Sequence, residues 1–310
     1  MKLKKPKFWD YKKPNTYAYI LSPFSLLVNI FNQIKIKKNK KKFKIKTICI
    51  GNIYIGGTGK TSLSIKIHEI LNKKKIKSCF IKKFYNSQKD EQKILSDNGK
   101  LFLSHKRIDA LRHAENENYE VAILDDGLQD QSINYDASFV CFNNLNWIGN
   151  GMIIPAGPLR ESILNLKKYE HIFLNGNLEN LENIKRDVLK INPKINIHIG
   201  KYTGINLDQF DVKYKYLVFS GIGNHGTFIS MLKKSGLNIF KEIEFPDHYS
   251  YTSDDIDKIL DLAARHDCKI ITTEKDHLRI DYKYQSKIKF VKSELQIINE
   301  EKFFQFLTQI

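Results

Sequence analysis

Short apolar runs alternate with longer amphipathic stretches from residue 45 to the end of the chain. The runs are rich in β-branched residues and end in polar or glycine-rich turns, which is typical of buried parallel strands. The strands predicted in this way are Ile45–Ile50, Ile76–Lys82, Tyr119–Leu124, Ser138–Phe142, His171–Leu174, Leu217–Phe219 and Ile270–Thr273. The predicted helices include Ser62–Lys73, Ile108–Asn116 and Leu181–Ile191. Strands that alternate with helices predict an α/β fold with a mostly parallel sheet.

Three parts of the chain follow from this alternation. Residues 1–40 form a basic and apolar N-terminal segment, residues 41–205 a first α/β domain, and residues 206–310 a smaller α/β domain. With 310 residues the chain is long enough to bury two cores. We therefore predict two α/β domains, preceded by an N-terminal helix that associates with a membrane.

The membrane prediction comes from Pro14–Ile34, which contains no charged residue and is largely apolar. A spanning helix needs about 20 apolar residues, and Pro23 together with three polar amides interrupts this segment. Lysines lie on both sides of it, so they set no orientation across a bilayer. A helix that lies in the interface is favoured. Whether residues 17–34 span or lie on the bilayer stays open, and a helix packed in the protein core is the alternative.

The net charge of +17 is concentrated at the N-terminus, where residues 1–50 contain 14 lysines and one acid, a local charge of 14 − 1 = +13. Such a field attracts polyanions. The lysines bracket an apolar block and do not interleave with stacking aromatics, so we expect an anionic membrane surface and no nucleic acid as partner. The four cysteines form no CxxC pair, and no zinc site or disulfide framework is expected.

A glycine-rich turn follows the first predicted strand and has the composition of a phosphate-binding loop. Its glycines let backbone N–H groups approach anionic oxygens, and the next helix directs its N-terminal dipole to the same place. Lys60 would contact the β- and γ-phosphates, and the Thr61 hydroxyl would ligate Mg²⁺. The strict pattern has glycine where Tyr54 stands, and a chance Lys-Thr after a glycine-rich turn is the alternative. The predicted nucleotide-binding residues are Tyr54, Ile55, Gly56, Gly57, Thr58, Gly59, Lys60 and Thr61.

Further polar residues follow other predicted strands. Asp125 and Asp126 are candidate metal-binding residues, which would hold the metal directly or through water. An Asp-Gly turn would have the same sequence. Arg160 ends a stiff loop and is able to reach a transferring phosphoryl group, while a salt bridge to Glu161 or a helix cap is equally consistent with the sequence. The polar stretch 84–91 is predicted to be a loop at the same edge of the sheet.

Two patterns in the second half of the chain are weaker. Gly221–Gly226 follows a predicted strand and formally matches a dinucleotide-binding fingerprint, although a tight turn explains the same glycines. His248 follows Asp247 in an aromatic loop, where the two are able to form an acid–base unit, but a lone loop histidine is more often structural or exposed.

Nine short stretches also match, in order, the pattern of one enzyme family. They are Gly51-Asn52, Gly56–Thr61, Asp90-Glu91, Leu124–Gln129, Gly149–Glu161, Gly221–Asn224, Phe245–His248, Tyr251-Thr252 and Thr273–Asp276. Together they resemble tetraacyldisaccharide 4'-kinase, the lipid A 4'-kinase family of Gram-negative bacteria. The resemblance implies ATP-dependent transfer of the γ-phosphoryl group to the 4'-hydroxyl of lipid A disaccharide 1-phosphate, with ATP and Mg²⁺ as cofactors. It also implies two α/β/α domains, of which the first is P-loop NTPase-like and the smaller second one closes the active-site cleft. The resemblance places the activity at the cytoplasmic face of the bacterial inner membrane.

The same resemblance implies roles for single residues. Asp90 and His248 would be the pair that activates the sugar hydroxyl. The remaining roles are phosphate and Mg²⁺ binding by Lys60 and Thr61, metal binding by Asp125 and Asp126, and assistance to the phosphoryl group by Arg160.

This chain departs from the family pattern at two places. Asp130 stands where the family usually has histidine, and Lys82–Tyr85 replaces a Ser-Arg-Gly-Tyr stretch after the second strand. Two other functions remain open on the residues alone: a membrane-associated P-loop ATPase switch without a lipid substrate, and an oxidoreductase that binds NAD(P) at the second glycine cluster.

Overall fold

The computed structural model describes residues 5–34 and 40–309. Helices and strands alternate along this part of the chain. The helices are α1 (Thr16–Ile34), α2 (Lys60–Lys73), α3 (Lys89–Asn98), α4 (Arg107–Asn116), α5 (Leu181–Ile191), α6 (His225–Lys234), α7 (Ser253–Arg265), α8 (Glu274–His277), α9 (Tyr282–Gln285) and α10 (Glu300–Leu307). The strands are β1 (Lys46–Gly51), β2 (Ser78–Lys83), β3 (Leu101–Ser104), β4 (Val121–Asp125), β5 (Ala137–Asn143), β6 (His171–Asn175), β7 (Asn196–Gly204), β8 (Lys215–Ser220), β9 (Asn238–Glu244), β10 (Cys268–Thr273), β11 (Lys289–Val291) and β12 (Ser293–Ile297).

The predicted α/β class is confirmed, and the sheets are mostly parallel. One sheet has the order β12-β7-β6-β5-β1-β4-β2-β3, and the other has the order β11-β10-β8-β9. In the larger sheet β1 pairs in parallel with both β4 and β5. Because neighbouring parallel strands end at the same edge, the polar residues that follow β1, β2 and β4 lie at one edge of this sheet.

The chain divides into two compact units. The larger one contains Pro6–Gly200 and Ile297–Ile310, and the smaller one contains Lys201–Gln296 together with Lys5. The two divisions fall inside β7 and β12. The predicted second domain, 206–310, therefore differs in range from the smaller unit, because the last residues belong to the larger one.

Each unit has its own apolar core. In the larger unit, one cluster gathers Cys49, Val140 and Leu174 from β1, β5 and β6. In the smaller unit, Leu217 and Phe219 of β8 pack with Ile259 of α7. These side chains are buried because β-branched and aromatic residues fit a sheet that helices cover.

The N-terminal helix exists as α1, which extends over Thr16–Ile34 with Pro23 inside it. Among the helices of the described residues, none combines the length and the apolar content that crossing a bilayer requires. The flanking lysines Lys35, Lys37 and Lys38 lie outside the described residues.

Candidate active site

The glycine-rich turn connects β1 to α2, and the helix begins at Lys60, two residues earlier than predicted. Gly59 precedes the helix with φ 76°, and Gly56 has φ 124°. Both values lie in the region that side chains with a Cβ disfavour, so this path of the backbone needs glycine. The first backbone N–H groups of α2 have no partner within the helix, and they give this end the partial positive charge that anions bind.

Two buried asparagine amides fix the turn. Asn52, just after β1, donates from Nδ2 to Thr58 Oγ1 at 2.9 Å and to the Gly56 carbonyl at 3.3 Å. Asn175, the last residue of β6, donates from Nδ2 to the Thr58 carbonyl at 2.7 Å. Within the described residues, Oδ1 of Asn52 and Oδ1 of Asn175 accept no hydrogen bond. The turn is thus held in one conformation from two strand ends, and two buried acceptors remain beside it.

Asp125, the last residue of β4, is fully buried beside the turn. Its Oδ2 accepts from Lys82 Nζ at 2.5 Å and faces Thr61 Oγ1 at 3.5 Å. Its Oδ1 accepts from Ser64 Oγ at 3.3 Å. Lys82 Nζ also donates to Glu91 Oε2 at 2.8 Å. Burial lowers the pKa of Lys82, but the two carboxylates outweigh it and raise that pKa above its ordinary value, so the lysine is an ammonium.

Asp126 has different partners from its neighbour. Its Oδ1 lies 3.7 Å from Lys60 Nζ and 3.3 Å from Arg160 Nη1. Burial raises the pKa of Asp126, but Lys60 and Arg160, with smaller effects of Lys82 and Arg107, outweigh burial and lower that pKa below its usual range. The site therefore holds an anionic carboxylate between two cations at the start of α2.

Arg160 lies at the end of the loop between β5 and β6, where its backbone N–H donates to the Ile53 carbonyl at 2.7 Å. Its Nη1 also donates to Gln129 Oε1 at 3.1 Å. Glu161 accepts from Asn165 at 2.6 Å and from Tyr169 at 3.0 Å. The guanidinium is thus directed to Asp126 and Gln129, which lie in the turn after β4.

The stretch 84–91 is not a continuous loop, so this expectation is wrong. A short 3₁₀ turn covers Asn86–Gln88, and α3 begins at Lys89. Asp90 and Glu91 occupy the first turn of α3, where carboxylates are stabilised by the helix dipole. Lys82 forms ion pairs with both Glu91 and Asp125, and so links the first turn of α3 to the end of β4.

His248 lies in the smaller unit, in the loop between β9 and α7, with φ 57°. Its backbone N–H donates to the Gly221 carbonyl and to Asp247 Oδ1, both at 3.0 Å. Its Nδ1 lies 3.4 Å from Arg279 Nη2, and Arg279 is itself held by Asp276 at 3.2 Å. A guanidinium only donates, so Nδ1 is the acceptor in this contact.

The structure thus brings together Lys60, Thr61, Asp125, Asp126 and Arg160 in the larger unit. Sequence reasoning assigned no role to Lys82, Ser64 or Asn175. A lysine inside an otherwise apolar strand is a signal of a buried ion pair, because an unpaired buried charge is costly. The serine and the asparagine had no comparable signal. Among the described residues, no group of three or more His, Cys, Asp or Glu side chains is arranged to hold a metal ion.

The chain is similar to several known proteins. The family model of tetraacyldisaccharide-1-P 4'-kinase matches residues 17–310. A tetraacyldisaccharide 4'-kinase of Pelagibacter ubique is 58% identical over 97% of this chain and 96% of its own length. That of Rickettsia felis is 33% identical over 91% of this chain and 90% of its own. A crystal structure of LpxK from Aquifex aeolicus in complex with ATP has a TM-score of 0.65, with 20% sequence identity, and covers 94% of this chain and 98% of that one.

Proposed function

The chain belongs to the tetraacyldisaccharide-1-P 4'-kinase family, and we propose that it transfers the γ-phosphoryl group of ATP to the 4'-hydroxyl of a lipid A disaccharide 1-phosphate. One observation carries the proposal. Lys60 and Arg160 converge on Asp126 at the N-terminus of α2. Phosphoryl transfer depends on positioned positive charge more than on covalent chemistry, and this arrangement supplies it at a phosphate-binding turn.

The nucleotide would bind with its phosphates on the backbone of residues 54–61 and on Lys60. The unpaired Oδ1 atoms of Asn52 and Asn175 fit a loop that rearranges slightly when a ligand arrives. Mg²⁺ in such sites takes one or two protein oxygens and completes its shell with phosphates and water. The Thr61 hydroxyl faces the Asp125 carboxylate at this point, and Asp126 follows, so oxygen donors that would hold Mg²⁺ directly or through water are present. The ion would neutralise charge on the β- and γ-phosphates.

For the sugar hydroxyl we propose Asp90 and His248 as the activating pair. The hydroxyl needs to lose its proton only late in a phosphoryl transfer, so a carboxylate and an imidazole suffice. Arg160 would stabilise the charge that develops on the transferring group.

Attachment to the cytoplasmic face of the inner membrane is part of the same proposal. Most of α1 is apolar and exposed: Tyr17, Tyr19, Ile20, Phe24, Leu26, Leu27, Ile30 and Phe31 each have between 43% and 67% of their surface accessible. Ala18 and Ser25, on another side of the helix, are buried. An exposed apolar face flanked by lysines fits an interfacial helix on anionic lipid, and a substrate with acyl chains stays in that lipid.

The deciding experiment measures ATP consumption by the purified full-length chain in detergent, with and without lipid A disaccharide 1-phosphate. We expect turnover only with the lipid, and a loss of at least about a hundredfold in Lys60→Met because one phosphate-binding charge is removed. Lys73→Met, at the exposed end of the same helix, is the matched control and keeps its rate. Hydrolysis that is independent of lipid and indifferent to His248→Ala would favour a P-loop ATPase switch instead.

The pair is tested by Asp90→Asn, His248→Ala and the double variant. Residues that act as one unit give non-additive losses, so the double variant is expected to be about as slow as the worse single one. Fully additive losses would contradict a shared role.

A further inference from the structure

Lys82, in β2, has a buried ammonium. Its side chain is 1% exposed, and Nζ pairs with Asp125 at the end of β4 and with Glu91 in the first turn of α3. Since water and ligand do not reach its ammonium, Lys82 does not bind a phosphate directly. It acts on the site only through the two carboxylates that it holds.

The position of the Lys82 ammonium determines whether Asp125 is able to ligate a metal ion directly. Oδ2 is the oxygen that faces the Thr61 hydroxyl, and the same Oδ2 accepts the short hydrogen bond from Lys82. Oδ1 is taken by Ser64. A divalent ion that took Oδ2 as a direct ligand would lie within a few ångströms of a fixed ammonium in a buried setting, where like charges repel strongly.

We propose that Lys82 is a permanent cationic partner of Asp125, which withdraws this carboxylate from direct metal ligation and lowers the affinity of the nucleotide-free protein for divalent cations. The inference rests on the proposed function, since it concerns the Mg²⁺ of that site. Asp125 then acts on the ion only through the hydroxyls of Thr61 and Ser64.

A second consequence concerns position. Lys82 joins Asp125, at the end of β4, to Glu91, in the first turn of α3. Asp90 precedes Glu91 on the same turn. The ammonium therefore links the start of α3 to the end of β4.

The test measures Mn²⁺ binding to the nucleotide-free full-length chain, with free Mn²⁺ followed by electron paramagnetic resonance. Lys82→Ser and Lys82→Met leave two carboxylates without their cation, and we expect them to bind Mn²⁺ at least about tenfold more tightly than wild type. Lys82→Arg keeps the charge and is expected to restore the wild-type affinity. Lys66→Met is the matched control, because Lys66 is a buried lysine paired with the carboxylates of Glu69 and Glu300 elsewhere in the same unit.

Unchanged Mn²⁺ affinity in a folded Lys82→Ser or Lys82→Met protein would overturn the proposal. If neither neutral variant folds, the wild-type protein labelled with [¹⁵N]lysine gives the answer, with the Lys82 Nζ signal assigned by its loss in Lys82→Arg. We expect this signal to stay protected from solvent when Mg²⁺ and ATP are added. Release of the ammonium to solvent would show that the metal displaces Lys82. Neither measurement uses the lipid, so failure of the kinase proposal leaves both readable.

Discussion

Asp125 and Asp126 are neighbours in the chain, yet their surroundings differ completely. Asp125 has no exposed surface and is held by an ammonium and two hydroxyls. The Asp126 side chain is 22% exposed and faces two basic side chains. Asp126 adopts φ 54°, so the backbone turns sharply between them and their carboxylates diverge. Asp125 therefore holds buried partners together, while Asp126 faces the two cations Lys60 and Arg160.

The two acids are expected to respond differently to neutralisation. Asp125→Asn leaves the buried Lys82 with one carboxylate fewer and is expected to lower the free energy of unfolding by about 3 kcal/mol. Asp126→Asn removes a partly solvated charge and is expected to change it by less than about 1 kcal/mol, while its activity falls. Urea denaturation of both variants measures the two free energies of unfolding. Equal destabilisation by the two substitutions would contradict this division of roles.

Asn175 is a second residue whose hydrogen bond to the glycine-rich turn gives a specific prediction. Asn175→Ala removes the amide that holds the Thr58 carbonyl and leaves that buried acceptor unpaired, so we expect a loss of about 1–3 kcal/mol in unfolding free energy and a higher KM for ATP. Asn196→Ala is the control, because its amide makes a longer, exposed hydrogen bond to the Glu170 carbonyl. A normal KM for ATP in Asn175→Ala would show that the turn does not depend on this brace.

At the scale of elements, the two terminal helices are attached to the larger unit by different means. The Ser25 hydroxyl of α1 donates to the Ile153 carbonyl at 2.7 Å and accepts from the Ala156 N–H at 3.1 Å. The helix α10 instead inserts the rings of Phe303 and Phe306 beside Phe139. A polar anchor of two hydrogen bonds holds one helix, and an aromatic cluster holds the other.

The polar anchor of α1 is testable by hydrogen exchange. Ser25→Ala removes both hydrogen bonds, so the backbone amides of α1 are expected to exchange several-fold faster while global unfolding changes little. Ser22→Ala is the matched control, since its hydroxyl donates within the helix to the Tyr19 carbonyl. Equal exchange in the two variants, followed by mass spectrometry, would mean that Ser25 does not anchor the helix.

The aromatic cluster around α10 gives a pH prediction. His171 Nδ1 and His198 Nε2 lie 3.2 Å apart, and the ring of Phe306 stacks on His171. Burial lowers the pKa of both histidines from 6.5 to about 4, and for His198 the charges of His171 and Lys302 add to this effect. Between these values the unfolded chain binds more protons than the folded chain. Stability is therefore complete above the unfolded pKa and falls as the pH drops from 6.5 towards 4.

The measurement is urea denaturation at several pH values in that window. At its steepest, each imidazole is expected to contribute on the order of 1 kcal/mol per pH unit. The double variant His171→Asn/His198→Asn removes these two titrations and leaves all others, so its stability is expected to depend less on pH. Parallel curves for wild type and variant would exclude these histidines as the cause.

Particular residues show what the sequence could predict. The apolar run Tyr119–Leu124 was long enough to predict β4, found at Val121–Asp125. In contrast, β3 (Leu101–Ser104) was missed, because Phe102 is its single buried residue and the run has no clear pattern. The glycines and Lys60 predict a phosphate-binding turn, because their chemistry is local in the sequence. The contacts of Asn175 and Ser64 depend on how distant strands pair, which no local pattern contains.

For the molecule as a whole, the distribution of charge is the dominant property. The first fifty residues contribute +13 of the net +17, and α1, with its exposed apolar side chains, lies within them. Charge and apolar surface are therefore combined at one end of the chain. Attraction to an anionic bilayer would bring the apolar face to the lipid, and burial of that face would keep it there.

Vesicle binding by the full-length chain separates the two contributions. With vesicles of about 30% anionic lipid, raising the ionic strength from about 0.05 to 0.5 M is expected to weaken binding at least tenfold, because salt screens the lysines. Binding to neutral vesicles, which depends on α1, is expected to change far less. A Phe24→Ser/Leu27→Ser variant is expected to weaken both. Salt-independent binding to the anionic vesicles would contradict a role for the lysines.

The order of the units along the chain has a consequence for synthesis. The smaller unit is inserted into the larger one, which is completed only by residues 297–310. A chain emerging from the ribosome has all of the smaller unit before it has Phe303 and Phe306, the rings that close the core over Phe139. The inserted unit is thus free to fold during translation before Phe303 and Phe306 are made, whereas the core of the larger unit is completed only after them. Loss of these two rings would leave the apolar surface around Phe139 uncovered and open to proteases.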